Sequence, residues 1–203
     1  MFLSLFTSLQ NIDARILEWM RSSIVNIEWI HPIIIFFTDL HPIVFGVFLV
    51  GLWIYGVYRK NNGPKHVALD LFWHVLGAFI VYWIINQLLP VRPRPETIGS
   101  IPALITHLPD NSFPSGHAMF LGASWWALHI LLRNRRIVIG FLVLWILTVI
   151  ARVFAGIHYP GDILVGFILG WWLVAFFMWL PHGEKYRTLA HNIPIRLAAY
   201  FQL

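Results

Sequence analysis

Residues 151–162 read ARVFAGIHYPGD, a polar turn between two long apolar runs, 137–153 and 163–180. Each run approaches the ~17–25 residues a helix needs to cross a bilayer. The stretch therefore reads as the connection of a membrane hairpin, with Arg152, His158 and Asp162 at its mouth. Working outward, the runs 118–132, 67–89 and 42–58 predict three more spans, the shortest lengthening if its helix begins at Ser115. A weaker stretch, 16–38, is broken by Asn26, Glu28, His31 and Pro32. It is taken as a first span, with an interfacial or re-entrant helix as the alternative. Phe2, Leu5, Phe6, Leu9 and Ile12 keep helical spacing and suit a helix lying in the interface. The expected fold is all-α: a polytopic membrane helix bundle of about six transmembrane helices, forming one domain over residues 1–203. Within it, residues 1–40 hold the interfacial helix and weak first span, 41–180 the bundle with the motifs, and 181–203 a cytoplasmic tail.

Composition agrees with a membrane protein. Of 203 residues, 59% are hydrophobic and 11% charged, against roughly 25% charged in a soluble domain. Mean hydropathy is +0.72. Eleven Trp and six Tyr suit aromatic belts at the two interfaces. Cysteine is absent, which excludes disulfides, thiolate nucleophiles and thiolate metal sites. The formal charge of +5 does not point to nucleic acid, because the basic residues sit in short loops between spans.

Those loops give the orientation. Arg59, Lys60 and Lys65 join one pair of spans, Arg133, Arg135 and Arg136 another, and Lys185, Arg187 and Arg196 follow the last. If residues 16–38 cross, Arg15 and Arg21 lie on the same side. Eleven of the fourteen Lys and Arg then sort to one face, which the positive-inside rule makes cytoplasmic, together with both termini. The other three, Arg92, Arg94 and Arg152, fall on the opposite face. Arginines placed against the orientation rule need another reason to be there, and an anion supplies one.

Three motifs meet on that face. In Pro114-Ser115-Gly116-His117, a serine at a helix N-cap leaves backbone N–H groups directed outward, backed by the helix dipole. Its bland reading is a cap before a span. His158 and Asp162 are four apart, so on a helical turn they share a face. An aspartate accepting from one ring nitrogen fixes the tautomer and leaves the other lone pair for attack. The alternatives are a helix-start pair without chemistry and a metal site, the latter disfavoured by the neighbouring arginines. Arg92 and Arg94 are interleaved with Pro93 and Pro95, a stiffened pair of guanidinium groups that can grip phosphate oxygens. The outer loop 91–113 is expected to be ordered irregular chain or a lid, with Ile101, Leu104, Ile105 and Leu108 dipping towards the headgroups. Asp70 and His74 read as a mutually satisfied pair, and Gly166 and Gly170 as a close helix contact.

These residues resemble the type 2 phosphatidic acid phosphatase superfamily, which also includes vanadium haloperoxidases and bacterial undecaprenyl diphosphate phosphatases. Its signature is Lys-x6-Arg-Pro, then Pro-Ser-Gly-His, then Ser-Arg-x5-His-x3-Asp. Here the motifs fall on Gln87 to Arg94-Pro95, on Pro114 to His117, and on Ala151-Arg152, His158 and Asp162. The resemblance implies an outward-facing lipid phosphatase without metal or other cofactor. Its partners would be membrane lipids and a lipid phosphate or diphosphate, most readily undecaprenyl diphosphate. It implies His158 as nucleophile forming a phosphohistidine, Asp162 orienting it, and His117 as general acid. Arg94, Arg152, Ser115 and Gly116 would bind phosphate oxygens. Gln87 and Ala151 stand where the family has lysine and serine, and Arg92 is expected to supply part of the missing charge.

Overall fold

The computed structural model describes residues 2–98, 102–105, 111–132, 134–181, 185 and 188–200. Chain order gives α1 (Phe2–Ile24), a 3-10 turn (Glu28–Ile30), α2 (His31–Thr38), α3 (Leu40–Tyr58), α4 (Asn62–Leu88), a single turn α5 (Pro95–Ile98), α6 (Gly116–Leu131), α7 (Arg135–Ala155) and α8 (Pro160–Trp179). A π-helical turn (Thr188–Asn192) and α9 (Ile193–Tyr200) follow. Helices α3, α4, α7 and α8 are long and apolar enough to cross a bilayer. α6 has 16 residues and runs through the middle of the same bundle.

Local chemistry sets the ends. Asn61 caps α4 by accepting from Gly63 N at 2.9 Å, and Asn134 caps α7 by accepting from Arg136 N at 3.1 Å. α7 stops at Gly156, whose φ of 79° is the left-handed C-cap that a Cβ would strain. That reversal carries the chain from Arg152 to His158 within one turn of irregular backbone.

The core is where α4, α6, α7 and α8 meet: Leu71, Ala78, Met119, Ala123, Ala127, Trp145 and Val174 are all buried there. α6 and α8 lie against each other along their backbones. A Cβ at Gly166 would come 2.5 Å from the Ser115 carbonyl oxygen; at Gly170 it would run into Met119 O, and at Gly122 into Phe167 O. The small-residue pair is therefore a packing seam, the close approach such spacing favours in membrane helices.

The stretch 16–38 does not cross. Asp13 and Arg21 of α1 both bond to groups at one end of the bundle: Asp13 to Arg92 and Gly161, Arg21 to the carbonyls of Phe154 and Pro102. Leu17 packs on Val153 and Tyr159, and Ile24 and Ile34 on Ala151, Ala155 and Ile157. α1 and α2 thus lie across that same end, and the interfacial alternative describes them. The expected count of six spans is therefore not confirmed, and Arg21 lies at the end where the three motifs meet instead of with Arg59 and Arg135. The break has a physical cause: the chain turns at Asn26 and restarts at His31-Pro32, where proline at the first turn favours a new helix.

Two further expectations are refined. Leu104 and Ile105 pack on Ile24, Ile34 and Ile157 rather than reaching towards headgroups; Ile101 and Leu108 lie outside the described residues. His74 Nδ1 bonds to the backbone oxygen of Asp70 at 2.7 Å, while the Asp70 carboxylate takes His191 Nε2 at 3.0 Å. His191 in turn meets His66, Nδ1 to Nδ1 at 2.9 Å, and Trp73 Nε1 donates to Ala190 O at 3.0 Å. These bonds dock the segment after α8 onto the start of α4.

Candidate active site

The N-termini of α3, α6 and α8 and the C-termini of α4 and α7 share the bundle end on which α1 lies, and the three motifs converge there. Pro114 to His117 opens α6, Arg152 sits in the last turn of α7, and His158 to Asp162 opens α8. Buried positions dominate: Arg94 is 4% exposed, Arg152 1%, His158 2%, and Ser112, Ser115 and Asp162 0%.

His158 is the focus. Its Nδ1 lies 3.1 Å from the Ser112 carbonyl oxygen, which can only accept, so Nδ1 carries the proton and Nε2 the lone pair. Two guanidinium groups converge on that lone pair: Arg94 Nη1 at 3.3 Å and Arg152 Nη2 at 3.4 Å. Arg94 Nη1 also donates to Ile157 O at 2.9 Å, and Arg152 Nη1 to Thr38 O at 3.1 Å. The Nε of Arg152 is buried and has no acceptor among the described residues. Buried guanidinium with a donor to spare beside an imidazole lone pair is an arrangement that an incoming oxyanion completes.

Asp162 is placed differently from the reading of its spacing. Its Oδ2 is 3.6 Å from His158 Nδ1, too long for a hydrogen bond. Oδ2 instead accepts from Ser112 Oγ at 2.5 Å and from Tyr159 N at 3.0 Å, and Oδ1 from Arg92 at 2.5 Å. Ser112 therefore stands between the two: its hydroxyl goes to Asp162 and its carbonyl holds the ring. Arg92 is the clear departure. Its two terminal nitrogens go to Asp162 and to Asp13, the latter at 2.7 Å, and its guanidinium stacks 3.9 Å over the Tyr159 ring. A guanidinium committed to two carboxylates does not supply the charge missing at Gln87, and Arg92 is absent from the cavity wall described next.

Ser115 accepts from Ala118 N at 3.5 Å and its own N–H goes to Asp162 O at 3.0 Å, so it joins the heads of α6 and α8. Gly116, His117, Arg94, Arg152, His158 and Gln87 line one cavity of about 700 Å³. The rest of that cavity is apolar, running down between α3 and α4 past Phe45, Leu49, Phe72, Leu76, Phe79 and Trp83. Phe72, Phe79 and Trp83 are 44%, 42% and 58% exposed, so the groove opens sideways.

Ser112, Asp13 and Asp39 were not singled out from the sequence. Asp39, in the bend between α2 and α3, accepts from Arg152 Nη1 and from His117 Nε2, both at 2.8 Å. The hydrogen bond from His117 holds its carboxyl well below the usual carboxylate range, against the opposing effect of partial burial and with help from the Arg152 charge. Ser112 could have been suspected from its place just before the Pro-Ser-Gly-His stretch; a carbonyl contact leaves no residue-type signal.

Fold and site together define a polytopic membrane protein with an arginine- and histidine-lined pocket at one end of the bundle and an apolar groove leading from it. A family model described as the PAP2 superfamily matches residues 67–186, and the chain belongs to that family. It is 32% identical over 120 residues to undecaprenyl-diphosphatase BcrC of Bacillus subtilis, and 41% identical over 140 residues to phosphatidylglycerophosphatase B of Escherichia coli K12. The matched segments are 59% and 63% of this chain and 58% and 54% of those relatives, so the chain spans little more than half their length. The crystal structure of Aquifex aeolicus LpxE superposes with a TM-score of 0.65 at 19% identity, covering 81% of this chain and 93% of that one. It supports the fold alone.

Proposed function

We propose that this protein is a lipid phosphatase that hydrolyses a phosphate or terminal diphosphate on a membrane lipid. The observation that carries the reading is His158 Nε2, 3.3 and 3.4 Å from two buried guanidinium groups, at the head of a groove that opens sideways. The arginines grip the equatorial oxygens, where charge spreads in phosphoryl transfer, so the pocket acts by placement and electrostatics. Binding of phosphate draws the guanidinium N–H groups off Nε2 and frees its lone pair. Nε2 attacks phosphorus, the N–P bond forms as the bridging P–O bond breaks, and His117 protonates the leaving oxygen. Water, deprotonated by His117, then opens the phosphohistidine. Ser112 and Asp162 keep the ring in the attacking tautomer, and the Ser115 and Gly116 end of α6 adds the helix dipole.

The lipid chain fits the groove between α3 and α4, with the phosphate at its polar end. Undecaprenyl diphosphate is the favoured substrate, supported by the match to BcrC; phosphatidylglycerol phosphate is second, supported by the higher identity to phosphatidylglycerophosphatase B. Arg59, Lys60, Arg135 and Arg136 at the opposite end favour a cytoplasmic placement there and an outward site. Phosphate release from a panel of both lipids, phosphatidic acid and a lipid A 1-phosphate ranks the substrates. Equal release by wild type and His158→Ala removes the nucleophile, and transfer to a second lipid in place of release replaces hydrolase by transferase.

A further inference from the structure

The cavity has two histidines, and each has a carboxylate near it. Asp162 belongs to the signature motifs. The second carboxylate, Asp39, does not, and its geometry is unusual for its place in the chain. It is the residue before α3, where an aspartate ordinarily accepts from backbone N–H groups of the first turn. Asp39 makes no such cap bond. Its Oδ1 is turned to His117 Nε2 and to Arg152 Nη1, 2.8 Å from each, and Oδ2 takes Thr38 Oγ1 at 3.3 Å. Helix α3 forgoes a cap, and the carboxylate joins α3, α6 and α7 at the cavity rim.

Other groups surround this contact. His41 of α3 places its ring centroid 6.1 Å from that of His117, and Tyr82 of α4 donates to Pro114 O just before it. Arg94 and His158 share the cavity wall. Among these, Asp39 is the carboxylate bonded to the His117 ring.

We propose that Asp39 is a positioning residue for the acid step, a role that rests on His117 being the general acid. With Nε2–H given to Asp39, the proton that moves is the one on Nδ1. As the His158 Nε2–P bond forms and the bridging P–O bond breaks, the bond pair goes to the leaving oxygen. The Nδ1 proton of His117 follows it there. His117 is left neutral, its remaining proton still on Nε2 against Asp39. In the second step Nδ1 takes a proton from the water that attacks phosphorus, the N–P pair returns to His158, and inorganic phosphate leaves. Asp39 stays a carboxylate throughout, fixing which ring nitrogen does the work.

This assigns Asp39 a signature that a merely structural residue lacks: dependence on the leaving group. An alkoxide must be protonated as it departs, a phosphate monoester needs far less help, and a nitrophenolate almost none. The experiment is steady-state kinetics on the full detergent-solubilised chain for wild type, Asp39→Asn, Asp39→Glu and His117→Asn. Three probes are used: a lipid phosphomonoester, a polyprenyl diphosphate and p-nitrophenyl phosphate. General acid catalysis contributes about 10²–10⁴-fold. Asp39→Asn is expected to lose about 100-fold in kcat/KM, which reports the step that breaks the P–O bond, on the monoester, progressively less on the diphosphate, and under about threefold on the aryl ester. Asp39→Glu should recover part of the monoester rate. The same fractional loss on all three probes overturns the proposal and leaves Asp39 as an anchor for Arg152. If His117→Asn shows the leaving-group gradient and Asp39→Asn does not, this inference fails while the acid role of His117 stands. If His117→Asn shows no gradient either, both fall.

Discussion

The bundle carries a histidine–aspartate arrangement at each end. At the far end, Asp70 accepts from His191 Nε2, and His191 Nδ1 meets His66 Nδ1 at 2.9 Å. These bonds fasten the tail to α4. At the site end, His158 gives its Nδ1 proton to a backbone carbonyl, and its Nε2 lone pair meets two guanidinium groups at the mouth of a lipid-sized groove. The same residue types serve as a fastener where donors and acceptors pair off. At the other end the ring lone pair instead faces two guanidinium groups, the arrangement on which the proposed chemistry rests.

The largest expected contrast is between the two ends. His158→Ala should lower kcat by at least ~10⁴-fold, as removal of a nucleophile does elsewhere. Breaking the Arg92 link comes next. Arg92→Gln leaves Asp162 buried without its cation, and loss of one partner of a buried pair is worth about 3–5 kcal/mol. Thermal unfolding in detergent should show it, with KM for substrate little changed, because Arg92 touches carboxylates rather than the cavity. An equal rise in KM would return Arg92 to the phosphate. Gln87→Lys, on the cavity wall, should strengthen phosphate binding by up to about 10-fold, the lower end of a charged hydrogen bond; no change in KM or kcat would place the position outside the site. His191→Ala should leave kcat within about twofold and lower stability by about 1–3 kcal/mol. A collapse of activity in that variant would erase the contrast.

Acid titration sharpens the comparison at the site end. A carboxyl whose pKa is depressed on folding contributes stability above its unfolded value, about 3.9 for Asp. The contribution disappears only as pH falls through the depressed value. The stability gap between wild type and Asp39→Asn should therefore narrow as pH falls below about 3.9. A gap that stays flat below about pH 3.9 would show that the Asp39 carboxyl is not depressed on folding.

The sequence located the helices and the six motif residues Arg94, Ser115, His117, Arg152, His158 and Asp162, because long apolar runs and fixed spacings on helix ends translate directly into position. It misplaced α1 because the charge rule counts arginines without seeing that Arg21 finds carbonyl acceptors at the site end. It misread Arg92 because residues 91–94 form no helix or strand, so spacing two from Arg94 does not put both side chains on one face. Ser112 acts through a carbonyl that every residue type carries. Asp39 lay between the stretches 16–38 and 42–58, each read as a span, with no motif around it.

The glycine seam between α6 and α8 has a consequence for evolution. With backbone against backbone at Gly122, Gly166 and Gly170, α6, which carries His117, and α8, which His158 directly precedes, cannot slide past each other without a collision. The wall formed by α3 and α4 is instead joined by a short turn at the far end and faces lipid through large, replaceable aromatic rings. Substitutions can reshape the groove there, one ring at a time, while the packing that sets the motif residues together is kept.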